Sequence, residues 1–177
     1  TKAIQAHDLT KKNGGLNSYG TNVLMNIINE AGGLPTRNFS SGQFEGAAKI
    51  SGEMIAEMVD KRKAGMTGHG CHPGCIIRCS NVYPGPDGKI ITSPIEYETA
   101  MSLGSNCGID DLDFVAKMTQ QCNDLGLDTI ETGNTIAVAM DAGLLAFGDK
   151  EGALALFDDI AKGTPLGRIL GQGVAAT

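Results

Sequence analysis

The chain has 177 residues, 41% of them hydrophobic, enough for one core and too apolar for a disordered segment. Its net charge of −6 excludes a general binder of nucleic acid or of anionic membranes. No apolar run approaches the roughly 18 residues needed to cross a bilayer. Five cysteines, an odd number with three crowded together, do not form a secreted disulfide framework. They point to a metal or cluster in a reducing, cytoplasmic compartment. The absence of Trp leaves the core to Ile, Leu, Val, Met and Ala.

The periodicity is helical almost throughout. The chain begins without Met, inside a helical pattern. Residues 21–31 carry Val23, Leu24, Ile27 and Ile28 on one face, with Thr21 as N-cap and Gly32-Gly33 as the stop. Pro35 forbids continuation, so Leu34–Phe44 reads as loop. Ser51 caps a helix whose buried stripe is Met54, Ile55, Met58 and Val59. Lys61-Arg62-Lys63 and Gly65 close that helix, the basic residues answering its dipole.

After a cysteine-rich loop, Asn81–Tyr97 changes texture. Pro84-Gly85-Pro86-Asp87-Gly88 lies between Val82-Tyr83 and Ile90-Ile91-Thr92, which predicts a short, irregular hairpin and the only strand region. Helix resumes over about 110–125, with Leu112, Val115, Met118, Cys122 and Leu125 at helical spacing and Gly126 at C′. A broad-faced apolar helix follows from Asn134 to Leu145. Asp149 caps another, with Leu154, Phe157 and Ile160 inward and Gly163 at its end. Thr164-Pro165 opens the last. The chain closes at Gly173–Thr177 in a further helical pattern, so both ends read as cut. The fold class expected is one all-α multihelical domain, 1–177, with a small β-hairpin excursion near residues 81–97.

Gly70-Cys71-His72-Pro73-Gly74-Cys75-Ile76-Ile77-Arg78-Cys79 carries the densest chemistry. A C-x3-C-x3-C triplet can wrap a polynuclear centre, and Pro73 and Gly74 allow the tight turns that expose N–H groups to cluster sulfides. Three alternatives stand on spacing alone. One is an iron–sulfur centre whose fourth thiolate comes from Cys107, Cys122 or elsewhere. Another is a Cys3His zinc site using His69 or His72. The third is a loop of unligated thiols. Cys122 lies on an apolar helical stripe and reads as a buried structural thiol; Cys107 sits in a glycine-rich turn and is ambiguous.

A second constellation is Asp124-Leu125-Gly126-Leu127-Asp128. Two carboxylates flank a glycine turn, and ionised Asp accepts from adjacent N–H donors such as an aminopyrimidine edge. A solvated or capping pair is the plain alternative.

Several ordered motifs together carry a resemblance. They are Tyr19-Gly20-Thr21, the run from Gly33 to Phe39, the cysteine triplet, Tyr97-Glu98-Thr99, the run from Gly104 to Leu112, Asn123 to Ile130, and Thr132-Gly133-Asn134. The chain resembles the central helical domain of the tungsten-containing aldehyde:ferredoxin oxidoreductases over nearly its whole length. The resemblance implies a middle, cofactor-completing domain, with an N-terminal cofactor domain and a C-terminal helical domain outside this chain. It implies a [4Fe-4S] cluster on Cys71, Cys75 and Cys79. It also implies a tungsten (or molybdenum) bis-pterin whose nitrogens meet Asp124, Gly126, Leu127 and Asp128. Glu98 is the implied proton-handling residue, with Glu96 its rival. Partners implied are an aldehyde, ferredoxin or a similar carrier, and the enzyme's other domains; a homo-oligomer is compatible.

Two departures stand out. The best-known family members space their cysteines C-x2-C-x3-C, one residue shorter, and carry a second D-x-x-G-L copy holding the fourth cysteine, which this chain lacks. A chain of this extent is therefore expected to be inactive alone, with both cofactors absent or incomplete. A zinc-binding helical interaction module is the alternative from another class.

Overall fold

The longer helices of this chain start at polar caps. In the computed structural model, which describes residues 2–177, short helices α1 (Lys2–Ala6), α2 (Gly15–Tyr19) and α3 (Leu24–Glu30) precede the first capped one. Ser51 Oγ accepts from Met54 N–H (3.3 Å) and starts α4 (Gly52–Arg62). Strands β1 (Met66–His69), β2 (Ser80–Pro84) and β3 (Ile90–Thr92) then form one antiparallel sheet in the order β1-β2-β3. Helix α5 (Tyr97–Leu103) leads to α6 (Leu112–Leu125), α7 (Thr129–Asp141), α8 (Lys150–Lys162) and α9 (Pro165–Leu170). Asp111, Asp128, Asp149 and Thr164 each accept a backbone N–H at the start of these four. No helix among the described residues is long and apolar enough to cross a membrane.

The core gathers Leu103, Ile109, Val115, Met118, Ile136 and Phe157, all nearly or fully buried. Helices α5 and α7 pack tightly at Gly133 of α7, which has no side chain to hold them apart. A Cβ there would lie 2.5 Å from the Ser102 carbonyl carbon.

The helical character and the β2–β3 hairpin agree with the sequence reading; several details differ. The sheet has a third strand, β1, where no strand was expected. Its residues, Met-Thr-Gly-His, carry little β propensity, and pairing with β2 defines it. Helix α5 was also unexpected. It is buried on most sides with Tyr97, Thr99, Ala100, Ser102 and Leu103 inside, so it shows no amphipathic stripe.

Helix α7 starts five residues before the expected Asn134, since Asp128 caps it. Thr21 does not cap: a 3₁₀ turn spans Thr21–Val23, and the Thr21 side chain is engaged elsewhere. Of the expected face on α3, Ile27 is exposed, while Met25 is the fully buried residue. Residues 173–177 form turns rather than helix.

Candidate functional site

The cysteine loop, residues 70–79, closes on the sheet. His69 of β1 pairs with Ser80 of β2, so a ten-residue loop enters and leaves at one point. Gly74 (φ 83°) and Arg78 (φ 54°) adopt left-handed backbone, and that geometry turns N–H groups toward the cysteines. Arg78 N–H donates to Cys75 Sγ at 3.5 Å. This bond, followed by the N–H of Ile77, lowers the Cys75 thiol below the ordinary value. Cys71 is exposed, and Cys75 and Cys79 are half-buried. Burial raises the Cys79 thiol, with the Glu96 carboxylate adding to the effect.

The donor set fits three corners of an iron–sulfur cluster. Such a centre keeps its thiolates on separate irons and takes N–H bonds to sulfur. A zinc site would draw four ligands to one point. Among the described residues no three His, Cys, Asp or Glu side chains are grouped to hold a single ion. His72 Nδ1 lies 2.8 Å from Pro73 O on an exposed turn. The zinc alternative therefore finds no support.

Both remaining cysteines are buried away from solvent. Cys107 is fully buried, its Sγ 3.3 Å from Ser102 O and 3.4 Å from Gly133 O, and burial pushes its thiol up to about 12. Cys122 is also fully buried, its thiol pushed up by burial to about 11.

At the other end of α6, Gly126 (φ 69°) reverses the chain, and Leu127 N–H donates to Cys122 O at 2.8 Å. Gly126, Leu127 and Asp128 line a hollow of about 180 Å³ with Glu131, Thr132, Thr135 and the Leu170–Gly173 turn. Asp124 lies outside it, its Oδ1 accepting from Gln120 Nε2 at 2.7 Å. Asp128 Oδ1 accepts from Glu131 N–H at 2.8 Å. In each aspartate the other carboxylate oxygen has no protein donor among the described residues, and both side chains are exposed. That leaves acceptors for N–H donors of an incoming heterocycle edge. Around Gly126 a Cβ would meet nothing within 4 Å, so the turn is open on its outer side. The residues fit a pterin edge; the hollow is too small to enclose a whole ligand.

Sequence reading did not find Glu131, Thr132 and Thr135 as lining residues. Thr135 Oγ1 is buried with no protein partner. The only available signal was their helical spacing from Asp128.

Glu98 stands exposed on the first turn of α5, while Glu96, one residue before that helix, is half-buried. Thr21 Oγ1 donates to Glu96 Oε2 at 2.6 Å and accepts from Tyr97 N–H at 2.8 Å. Thr21 N–H donates to Cys79 O at 2.9 Å. One threonine thus joins the glutamate segment to the end of the cysteine loop. The aspartate hollow is built from α6, α7 and the turn after α9, elements separate from that junction.

Comparison with known proteins matches residues 1–177 to the family model described as aldehyde ferredoxin oxidoreductase, domains 2 and 3. A tungsten-containing aldehyde ferredoxin oxidoreductase of Thermococcus kodakarensis is 45% identical over 129 residues, 72% of this chain and 20% of that protein. Proteins of the same name from Pyrococcus furiosus and Pyrococcus abyssi are each 43% identical over 129 residues, again 72% of this chain and 20% of theirs. The aligned stretch is thus about a fifth of the length of these relatives.

Proposed function

The chain belongs to the aldehyde ferredoxin oxidoreductase family, and from that premise we propose that it forms the middle, cofactor-completing helical portion of a tungsto- or molybdopterin enzyme. The whole protein would oxidise an aldehyde to a carboxylate, with the added oxygen from water. Two electrons would leave to ferredoxin or a similar carrier. The bound metal–pterin group supplies the two-electron oxidation, and the iron–sulfur cluster the one-electron path outward.

The chain's own residues have narrower tasks. Cys71, Cys75 and Cys79 would hold three irons, with the Arg78 N–H favouring the thiolate form of Cys75. Asp128, Leu127 and Gly126 receive a pterin edge from one side of their hollow, and Asp124 from the adjoining turn of α6. Glu98, exposed on α5, would take or deliver a proton at its carboxylate, with Glu96 two residues away as its rival. Activity belongs to the whole protein, because this chain contributes only part of each cofactor's ligand set.

The observation that carries the reading is a loop of three accessible thiols with a backbone N–H aimed at the middle one. Its test is the metal and acid-labile sulfide content of the full-length protein, purified without oxygen. Iron and sulfide near four each, with tungsten or molybdenum, are expected for a [4Fe-4S] enzyme. Stoichiometric zinc without labile sulfide would overturn it. A Glu98→Gln variant that keeps full turnover would remove that residue from the chemistry and leave the metal assignment standing.

A further inference from the structure

The Tyr19-Gly20-Thr21 turn is unused by the reading above, yet it lies at the junction of two parts that reading needs. Gly20 (φ 68°) leaves no room for a side chain: a Cβ would lie 2.8 Å from Cys79 O and 2.9 Å from Asn81 Cγ. The turn is therefore pressed against the strand that ends the cysteine loop. Asn81 Nδ2 donates to Tyr19 O at 3.0 Å and fastens it from the other side.

Thr21 then faces both ways. Its N–H holds the Cys79 carbonyl at 2.9 Å. Its hydroxyl oxygen already accepts from Tyr97 N–H at 2.8 Å, so its own proton goes to Glu96 Oε2 at 2.6 Å. A carboxylate accepting that proton while charged is the stronger partner. The surroundings are polar and closed: Asn22 Oδ1, Ser80 Oγ and Asn81 Oδ1 are buried without protein partners. Among the described residues no salt bridge includes Glu96.

We propose that Thr21 is a positioning residue which fixes the Glu96 carboxylate beside the Cys79 corner of the cysteine loop, so that its charge lowers the reduction potential of the cluster. This rests on the iron–sulfur reading of that loop. An added electron on the cluster is repelled by a fixed negative charge nearby, and a half-buried site screens that repulsion less than open water. Thr21 sets the effect through distance: without its hydroxyl, Glu96 is free to swing into solvent.

The test is a potentiometric titration of the cluster by electron paramagnetic resonance in the full-length enzyme, after its iron and sulfide have been counted. Glu96→Gln is expected to favour reduction about tenfold, 59 mV for a one-electron couple. Thr21→Val is expected to move the potential in the same direction, and Thr21→Ser, which keeps the hydroxyl, to restore it. Glu57→Gln, an exposed change on α4, serves as the charge control and is expected to leave it unmoved.

A cluster present in full whose potential is unchanged in Glu96→Gln overturns the proposal and spares the cluster assignment. Wild-type protein with no iron or sulfide overturns both. Should Thr21→Val fail to assemble a cluster, Glu96→Gln decides alone, because it leaves the Thr21–Cys79 bond in place.

Discussion

Arg62 and Asp113, 51 positions apart, meet in a two-pronged ion pair: Nη1 to Oδ1 at 2.7 Å and Nη2 to Oδ2 at 2.9 Å. The same Nη1 reaches Pro84 O at 2.6 Å, and Tyr83 Oη donates to Asp113 Oδ1 at 2.9 Å. The guanidinium also sits over the Tyr83 ring, 5.4 Å from its centre. This arrangement ties α4, β2 and α6 together. Burial, reinforced by the Asp113 bond, drives the Tyr83 phenol well above its ordinary value, so it stays a donor at every working pH.

Arg62→Ala is expected to destabilise the protein by about 2 kcal/mol, because it leaves Asp113 and the Pro84 carbonyl short of a charged donor. Arg62→Lys recovers less than half, since an ammonium cannot span both oxygens. Urea unfolding of Arg62→Ala, Asp113→Ala and the double variant gives the coupling directly. Strictly additive losses would show that the pair contributes nothing beyond its separate contacts.

Gly133→Ala sets two effects against each other. In an open helix the change adds about 1 kcal/mol of stability. Here the new Cβ would lie 2.5 Å from Ser102 C and 2.7 Å from Ser102 O, and backbone cannot swing away as a long side chain can. Forcing α5 and α7 apart costs about 1–3 kcal/mol, and disturbs the buried Cys107 thiol beside Gly133 O. The net expectation is a lowered melting temperature, read by circular dichroism. A rise would mean that the two helices part at little cost.

What was legible in the sequence follows one rule: features with local causes could be read, and features made by distant partners could not. Ser51, Asp149 and Thr164 act at their own helix starts and are legible there. Gly126 needed only its own φ. The Asp128-x-x-Glu131 spacing is a start signal for α7, but Thr132, Gly133 and Thr135 depress the helical signal that follows it. Helix α5 and strand β1 exist through burial and pairing, with no stripe or alternation of their own. Arg62 reads from sequence only as part of a basic last turn answering the α4 dipole, because Asp113 is invisible from position 62. The cysteine triplet and the aspartate turn were found as motifs. The Thr21 junction was not, since its three partners come from two other parts of the chain.

Thiol labelling of the unloaded protein is expected to divide the five cysteines. Cys71 and Cys75 react first, one exposed and the other with a lowered thiol value. Cys79 follows more slowly, held back by burial and by Glu96. Cys107 and Cys122 stay silent until the protein unfolds, their thiols at about 12 and about 11. Mass mapping of labelled peptides distinguishes the sites. Native labelling of Cys107 would contradict its burial between α5 and α7. Loading with iron and sulfide is expected to protect the first three.

Acid stability turns on Asp111, the N-cap of α6. Burial raises its carboxyl, but Lys150 (Nζ to Oδ2, 2.7 Å) and the N–H groups of Phe114 and Asp113 outweigh burial and bring it below the ordinary 3.8. For a depressed acid the sign is fixed. Its contribution is present in full above the unfolded value of 3.8 and is lost as pH falls from there through the folded value. Asp111→Asn keeps an oxygen for the cap and gives up the charge. It should therefore lower stability at neutral pH while making the decline below about pH 4 less steep. Urea midpoints taken between about pH 6 and pH 2 in both proteins test this. Parallel curves would place the acid sensitivity in other carboxylates. Asp111→Ala, which also removes the cap, should cost a further ~1 kcal/mol at every pH.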